Sequence, residues 1–340
     1  MLNVMKKNEM RILSGMRPTG KGGLHLGNFH GALENWIKLQ DEYECFFFVA
    51  DWHSLTTEYA ETSGIRNSIE EMLIDWLACG IDPKKATLFV QSWILEHAEL
   101  HLLLSMITPI SWLERVPSYK EIRTQLSERD LSTYGFLGYP MLQTADIVIY
   151  DAAKVPVGED QVAHIELSRE VVRRFNFLYK KGVLVEPHPL LTKTPKVPGL
   201  DGRKMSKSYN NCIYISDSKE TVHKKIMPAV TDPARKRRND PGNPEVCLIF
   251  DYHRLYTPDA ERHDIAKGCR SAGIGCVDCK KALLKNMDAF WDPIRERRAK
   301  IAEEPTNVWD IVNDGTKEAK KAALTTMKRV REAMKIAYAR

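Results

Sequence analysis

The chain has 340 residues, 43% hydrophobic and 28% charged, with 19 Gly and 17 Pro, which excludes collagenous, disordered and low-complexity classes and leaves room for about two globular domains. Fifty basic against 45 acidic residues give a formal charge of +5, which tolerates a polyanionic partner without demanding one. The longest unbroken apolar run, Cys45 to Ala50, is far shorter than the roughly 20 residues of a membrane span, and Met1 to Met10 lacks the apolar stretch of a secretory signal, so a soluble, cytoplasmic protein is expected.

In chain order, Arg11 to Ser14 and Glu44 to Ala50 read as buried strands, Asn67 to Cys79 carries apolar residues at helical spacing, and Ala86 to Gln91 reads as a third strand. Asp146 to Tyr150 and Val155 to Val157 continue the strand pattern, followed by a helix over Ile165 to Phe177. Alternating strands and helices without hairpin signals predict a parallel sheet covered by helices. Pro187 to Asp201, with four prolines, reads as loop. Beyond Ser216 the chain turns helical: Lys219 to Met227, Ala260 to Lys267, Cys279 to Ala299 and Thr316 to Ala339, with Val246 to Tyr252 open between states.

Two stretches carry chemistry. The first strand runs into a Gly-rich loop in which Gly15, Gly20 and Lys21 fit part of a P-loop. Gly22 stands where that motif needs a hydroxyl for Mg²⁺, and Pro18 removes an N–H from a loop that must donate to phosphate. The better reading takes His25-Leu26-Gly27-Asn28 as a helix-opening phosphate site, with Gly27 admitting the ligand to the backbone and His25 and Asn28 supplying donors. Against it stands an ordinary Gly-rich loop with a solvated histidine. Far downstream, Lys204-Met205-Ser206-Lys207-Ser208 places two lysines three positions apart on a loop able to close over a triphosphate and neutralise charge moving to pyrophosphate.

These two stretches together resemble the signatures of class I aminoacyl-tRNA synthetases. Between them Phe136 to Pro140, Gln143 to Ile147, Val155 to Gln161 and His164 to Arg169 are similar to bacterial tryptophanyl-tRNA synthetases. Arg17 stands where many relatives carry Gln, Leu13 where some carry Phe, and Gln143 where some carry Met. The resemblance implies a Rossmann-like catalytic domain over 1–215, a helical anticodon-recognition domain over 216–317 and a C-terminal helix over 318–340 that packs back on the catalytic domain. It implies that tryptophan is activated with Mg²⁺-ATP to an adenylate and then passed to the 3′-terminal adenosine of tRNA(Trp) by a homodimer. His25, Asn28, Lys204, Lys207 and Ser208 are the implied catalytic residues, with Arg17, Gly27, Gly158, Asp160, Gln161 and Met205 added for ATP. Leu13, His53, Tyr139, Gln143, Asp146, Val155 and Gln161 are implied for tryptophan. The indole N–H donates only, so Asp146, one helical turn from Gln143, suits it chemically; the alternative for Asp146 is a helix cap before Ile147.

Cys247, Cys269, Cys276 and Cys279 end in a C-x₂-C bite fit for zinc or an iron–sulfur cluster, with free thiols as the third possibility, and the resemblance favours a [4Fe–4S] cluster over zinc. Cys45, Cys79 and Cys212 read as small buried residues. His97 and His101, four apart without a third ligand, read as surface or interface residues, and Arg235-Lys236-Arg237-Arg238 as either a solvated loop or a tRNA phosphate contact. Three rivals to the synthetase reading are a tyrosine-specific relative, an adenylyltransferase acting on a small cofactor, and a non-enzymatic RNA-binding descendant.

Overall fold

The computed structural model describes residues 10–18, 23–117, 132–191 and 197–336. Strands β1 (Arg11–Met16), β2 (Glu44–Val49), β3 (Ala86–Val90), β4 (Lys154–Val157) and β5 (His188–Leu191) form one parallel sheet in the order β3-β2-β1-β4-β5. Both faces are covered. Ile12, Cys45, Phe47, Val49 and Leu88 point into one core, and Leu13, Phe46, Phe48, Phe89 and Val155 into the other. Burial on both sides is why the strands read as continuous apolar runs.

Between the strands lie α1 (Leu26–Asn28), which continues through a wide π turn over Phe29–Leu33 into α2 (Glu34–Leu39), then α3 (Asp51–Glu58), α4 (Ile65–Cys79), α5 (Glu96–Ser105), α6 (Ile110–Glu114), α7 (Tyr134–Val148) and α8 (Val162–Leu178). The helical part follows as α9 (Lys219–Ile226), α10 (Leu248–Tyr256), α11 (Asp259–Arg270), α12 (Cys276–Glu303) and α13 (Pro305–Ala333). No helix among the described residues is long and apolar enough to cross a membrane.

Three expectations need correction. Asp146 to Tyr150 is no strand: Asp146 to Val148 close α7, and because the whole stretch is buried its apolar run looks the same in either state. Conversely, the stretch read as loop contains β5, where Pro189 sits opposite Val155 on the last strand of the sheet; an edge position tolerates proline because one side of the strand has no ladder to complete. The C-terminal helix starts at Pro305 rather than Thr316, with the proline at its first position, while residues 337–339 lie outside the described range. The open stretch Val246 to Tyr252 resolves into a short 3₁₀ turn at Pro244–Val246 and the start of α10.

Helix α13 joins the two cores. Val308 and Val312 belong to one, and Ala319, Ala323, Met327 and Val330 to the other. It crosses β3 at Gly315, where a Cβ would lie 2.0 Å from the Leu88 carbonyl oxygen, so no larger residue fits without moving backbone.

Helix α12 is tied to the sheet side by a buried carboxylate. Asp75 on α4 accepts the Leu24 N–H at 2.7 Å and the Arg298 Nε–H at 2.7 Å, and Arg298 also pairs with Glu71. Removing one partner of a buried ion pair leaves the other uncompensated. Arg298→Ala is therefore expected to cost about 2 kcal/mol of stability, discounted from the fully buried case because Arg298 keeps some exposure and Asp75 keeps the backbone donor. Urea unfolding of the variant checks this, and a loss below about 0.5 kcal/mol, the ordinary surface range, would reject it.

Candidate active site

In a parallel sheet of this order, β1 leads to β2 and β3 on one side while β4 and β5 lie on the other, which opens a crevice at the carboxyl ends of β1 and β4. In chain order the first motif follows β1, and the Gly158 to Gln161 stretch leaves the carboxyl end of β4.

His25 opens α1 with a reciprocal cap: its Nδ1 accepts the Asn28 N–H at 3.3 Å while Asn28 Oδ1 accepts the His25 N–H at 3.0 Å. Two of the four motif residues are thus fixed by each other. Burial, then the positive charges of Lys207 and Lys204, lower the His25 pKa to about 4, so the imidazole is neutral at pH 7 and its Nε2–H remains a donor. The downstream motif lies against the first one: a Cβ at Gly27 would sit 3.7 Å from Met205 Cβ. Gly20 and Lys21, which fit a P-loop, and Gly22, which does not, lie outside the described residues.

The downstream loop is clamped from within. Asn211, itself buried, accepts the Ser206 N–H at 2.8 Å and donates to Asp201 at 2.7 Å and to the Lys204 carbonyl at 3.2 Å. Gly202 turns at φ +83°, a conformation glycine adopts without strain. Met205 is buried and contributes to the core, so it anchors the loop. Lys204 is exposed, whereas Lys207 is half-buried with its ammonium 6.0 Å from the centre of the Tyr214 ring. Burial lowers the Lys207 pKa. The segment after the loop then pairs with the first motif through Leu26 N–H to Ile213 O at 3.0 Å and Ile215 N–H to Leu24 O at 2.8 Å.

Beyond β4, Gly158 leads into a 3₁₀ turn over Glu159–Gln161, where Gln161 donates to Asp160 at 3.0 Å. Arg17 directly follows β1. Tyr139 on α7 hydrogen-bonds His164 at 3.1 Å. Leu13 and Val155, buried on neighbouring strands, share the core face on which α7 packs, and Gln143 is half-buried on α7.

Asp146 is the most constrained of the expected residues. Lying inside α7 near its end, it is not the cap that was the alternative. Its Oδ2 accepts from His53 Nε2 at 2.8 Å, and its Oδ1 accepts from Gln91 Nε2 at 2.8 Å and His97 Nδ1 at 2.6 Å. Burial pushes the carboxyl pKa up, but the hydrogen bonds from His53 and His97 outweigh it and bring the group down to about 2. His97 is therefore fully buried, and the surface or interface role expected for it is wrong. Its other nitrogen meets the Tyr150 hydroxyl at 2.6 Å, a phenol whose pKa burial raises well above the ordinary value. Sequence reasoning missed Gln91, His97 and Tyr150. Gln91 stands immediately after β3, at the carboxyl end of a strand, which is where ligand-facing groups of such sheets collect.

The four cysteines converge from three helices: Cys247 caps α10, Cys269 lies near the end of α11, and Cys276 and Cys279 share the first turn of α12. All four line one small pocket with Thr231, Asp232, Arg235, Ile249 and Ile274. Burial first, then the other three cysteines, push the Cys279 thiol up to about 12. Among the described residues no three His, Cys, Asp or Glu side chains are grouped as a site for a metal ion. The remaining cysteines, Cys45, Cys79 and Cys212, are buried as expected. Of the basic run, Arg235 turns inward to the Ile274 carbonyl at 2.7 Å and to Cys269 Sγ at 3.9 Å, while Lys236, Arg237 and Arg238 are exposed.

Comparison with known proteins gives this arrangement a class: residues 5–292 match the family described as tRNA synthetases class I (W and Y). The chain is 55% identical to the tryptophan–tRNA ligase of Thermotoga maritima over 97% of its own length and all of that protein, and 45% identical to that of Aquifex aeolicus over 96% and 100%. A solved tryptophanyl-tRNA synthetase of Campylobacter jejuni, complexed with ADP and tryptophan, superposes with a TM-score of 0.86 at 31% identity, covering 96% of this chain and all of that one. The chain belongs to this class I family, on its tryptophan side.

Proposed function

We infer that the chain is a tryptophan–tRNA ligase, which activates L-tryptophan with Mg²⁺-ATP to tryptophanyl-adenylate and pyrophosphate and transfers the acyl group to the 3′-terminal adenosine of tRNA(Trp). The observation that carries this reading is the contact of the two motifs, with a Cβ at Gly27 lying 3.7 Å from Met205 Cβ and the Leu26 N–H bonded to Ile213 O at 3.0 Å. Attack of the amino acid's carboxylate on the α-phosphorus needs no protein nucleophile, so the chain contributes position and charge. His25 and Asn28 donate to phosphate oxygens, and Lys204 and Lys207 follow the charge that passes to the leaving pyrophosphate, with Ser208 beside them. Gly27, Met205, Arg17, Gly158, Asp160 and Gln161 shape the nucleotide side. Asp146 accepts the indole N–H, with Leu13, His53, Tyr139, Gln143 and Val155 around the amino acid. Tryptophan-dependent pyrophosphate exchange and charging of tRNA(Trp) test the assignment. Exchange driven by tyrosine instead would move it to the tyrosine-specific relative, and exchange without any tRNA charging to a small-molecule adenylyltransferase.

We propose, on the resemblance, that the four cysteines bind a [4Fe–4S] cluster; their lining one pocket supports the reading. Cys247, Cys269, Cys276 and Cys279 would hold it, and through these four ligands it would join α10, α11 and α12. Zinc is the lesser candidate for the same ligands. Anaerobically purified protein is expected to be brown and to contain iron and acid-labile sulfide, and Cys276→Ser to lose both. Loss of the metal is expected to lower tRNA charging more than adenylate formation, because the ligands lie on the helical part. Elemental analysis with stoichiometric zinc and no sulfide would overturn the cluster and leave the ligase reading standing.

The helical part over 216–317 is proposed to recognise the anticodon, with the C-terminal helix over 318–340 returning to the catalytic domain; the burial of Ala319, Ala323, Met327 and Val330 in a core shared with the sheet supports that return. The exposed Lys236, Arg237 and Arg238 suit contacts to tRNA phosphates. A homodimer in the cytoplasm is proposed on the resemblance alone.

A further inference from the structure

The hydrogen bonds around Asp146 are more numerous than an acceptor for one indole N–H requires. A carboxylate oxygen offers two lone pairs. On Oδ1 both are taken, by Gln91 Nε2 at 2.8 Å and His97 Nδ1 at 2.6 Å. On Oδ2, among the described residues, only His53 Nε2 is bound, at 2.8 Å. One acceptor position of the four is thus left over, and it is on Oδ2.

His97 cannot turn away. Its Nε2 is held at 2.6 Å by the Tyr150 hydroxyl, and its ring packs at centroid distances of 5.4 Å from Tyr150 and 6.2 Å from Phe89. A Tyr150 O–H donating to Nε2 leaves the proton of the neutral ring on Nδ1, where it must point at Asp146. Gln91 and His97 are both fully buried, so neither hydrogen bond is exchanged for water.

We propose that His97, with Tyr150 behind it and Gln91 beside it, is a positioning residue for amino-acid selection: by saturating Oδ1 it fixes the carboxylate's rotation so that Oδ2 alone receives the ring N–H of the substrate. The proposal rests on the assignment of Asp146 as that acceptor. It predicts that the histidine contributes nothing to a substrate without the N–H.

The test is pyrophosphate exchange with tryptophan and with β-(benzothiophen-3-yl)alanine, in which sulfur replaces the ring N–H. The quantity read is the ratio of kcat/KM for the two amino acids. In His97→Phe this ratio is expected to fall by about tenfold or more, the size of a hydrogen bond to a charged group, while kcat/KM for the sulfur compound changes little. His97→Asn, whose side-chain amide can replace the Nδ1 donor, is expected to restore most of the ratio, and Tyr150→Phe to lower it in the same direction as His97→Phe. Should His97→Phe fail to fold, Gln91→Met removes the second donor to the same oxygen and is read in the same way. Asp146→Ala is measured alongside. If Asp146→Ala collapses the ratio and His97→Phe or Gln91→Met leaves it at the wild-type value, the histidine is structural only and the proposal fails. If Asp146→Ala itself leaves the ratio intact, Asp146 is not the acceptor, and the underlying assignment fails with it.

Discussion

Lys204→Ala and Lys207→Ala are each expected to slow tryptophan-dependent pyrophosphate exchange by on the order of 10²-fold or more, the loss that follows removal of one preorganised group at developing charge. The effect belongs in kcat, because charge moves onto the leaving pyrophosphate only as the transition state forms. Lys204 is exposed and Lys207 half-buried beside Tyr214, so neither supports the core and thermal unfolding should shift little. Lys207→Met keeps the aliphatic stem against Tyr214 and removes only the charge, which separates packing from electrostatics at that position. Unchanged exchange in either alanine variant would remove the catalytic role assigned to that lysine.

The sheet was legible wherever burial and periodicity agree. β1, β2 and β3 are apolar runs bounded by turns, and their parallel pairing follows from the helices between them. β5 was not legible, since His188-Pro189-Leu190-Leu191 is short, contains a proline and lies at an edge, so neither pattern nor propensity marks it. Asp146 to Tyr150 failed for the opposite reason: a buried helix end carries the same apolar run as a buried strand.

At the site, short motifs separated by nearly 180 residues could be matched to each other, but nothing in the sequence shows that Ile213 and Ile215 flank Leu24 and Leu26 and so bring the lysines to His25. His97 shows a further limit. Its spacing from His101 is all the sequence offers, and the charge that explains it comes from Asp146, on a different helix and 49 residues away. Three of the groups around Asp146 stand on β-strand ends or helices remote in sequence, so a single-residue reading could name the carboxylate and none of the hydrogen-bonded shell except His53.

Asp146→Ala is expected to reduce kcat/KM for tryptophan by as much as about 10⁴-fold while leaving the KM for ATP nearly unchanged. A substrate without the N–H leaves the fourth acceptor position of the carboxylate unfilled, and removing the carboxylate leaves the N–H itself without an acceptor. The same change strands three donors, His53, His97 and Gln91, so some stability is lost as well, and the kinetics must be read at a temperature where the variant is folded. The pH dependence separates the two effects. The folded-state carboxyl titrates at about 2, below its ordinary value near 3.9, so its contribution to stability is complete above about pH 4 and is lost as pH falls toward 2. With respect to this group, the stability gap between wild type and Asp146→Ala should therefore stay level from pH 5 to 8 and narrow only in acid, while the tryptophan defect persists throughout the neutral range. Wild-type tryptophan kinetics in a folded Asp146→Ala protein would leave the carboxylate with a structural role alone.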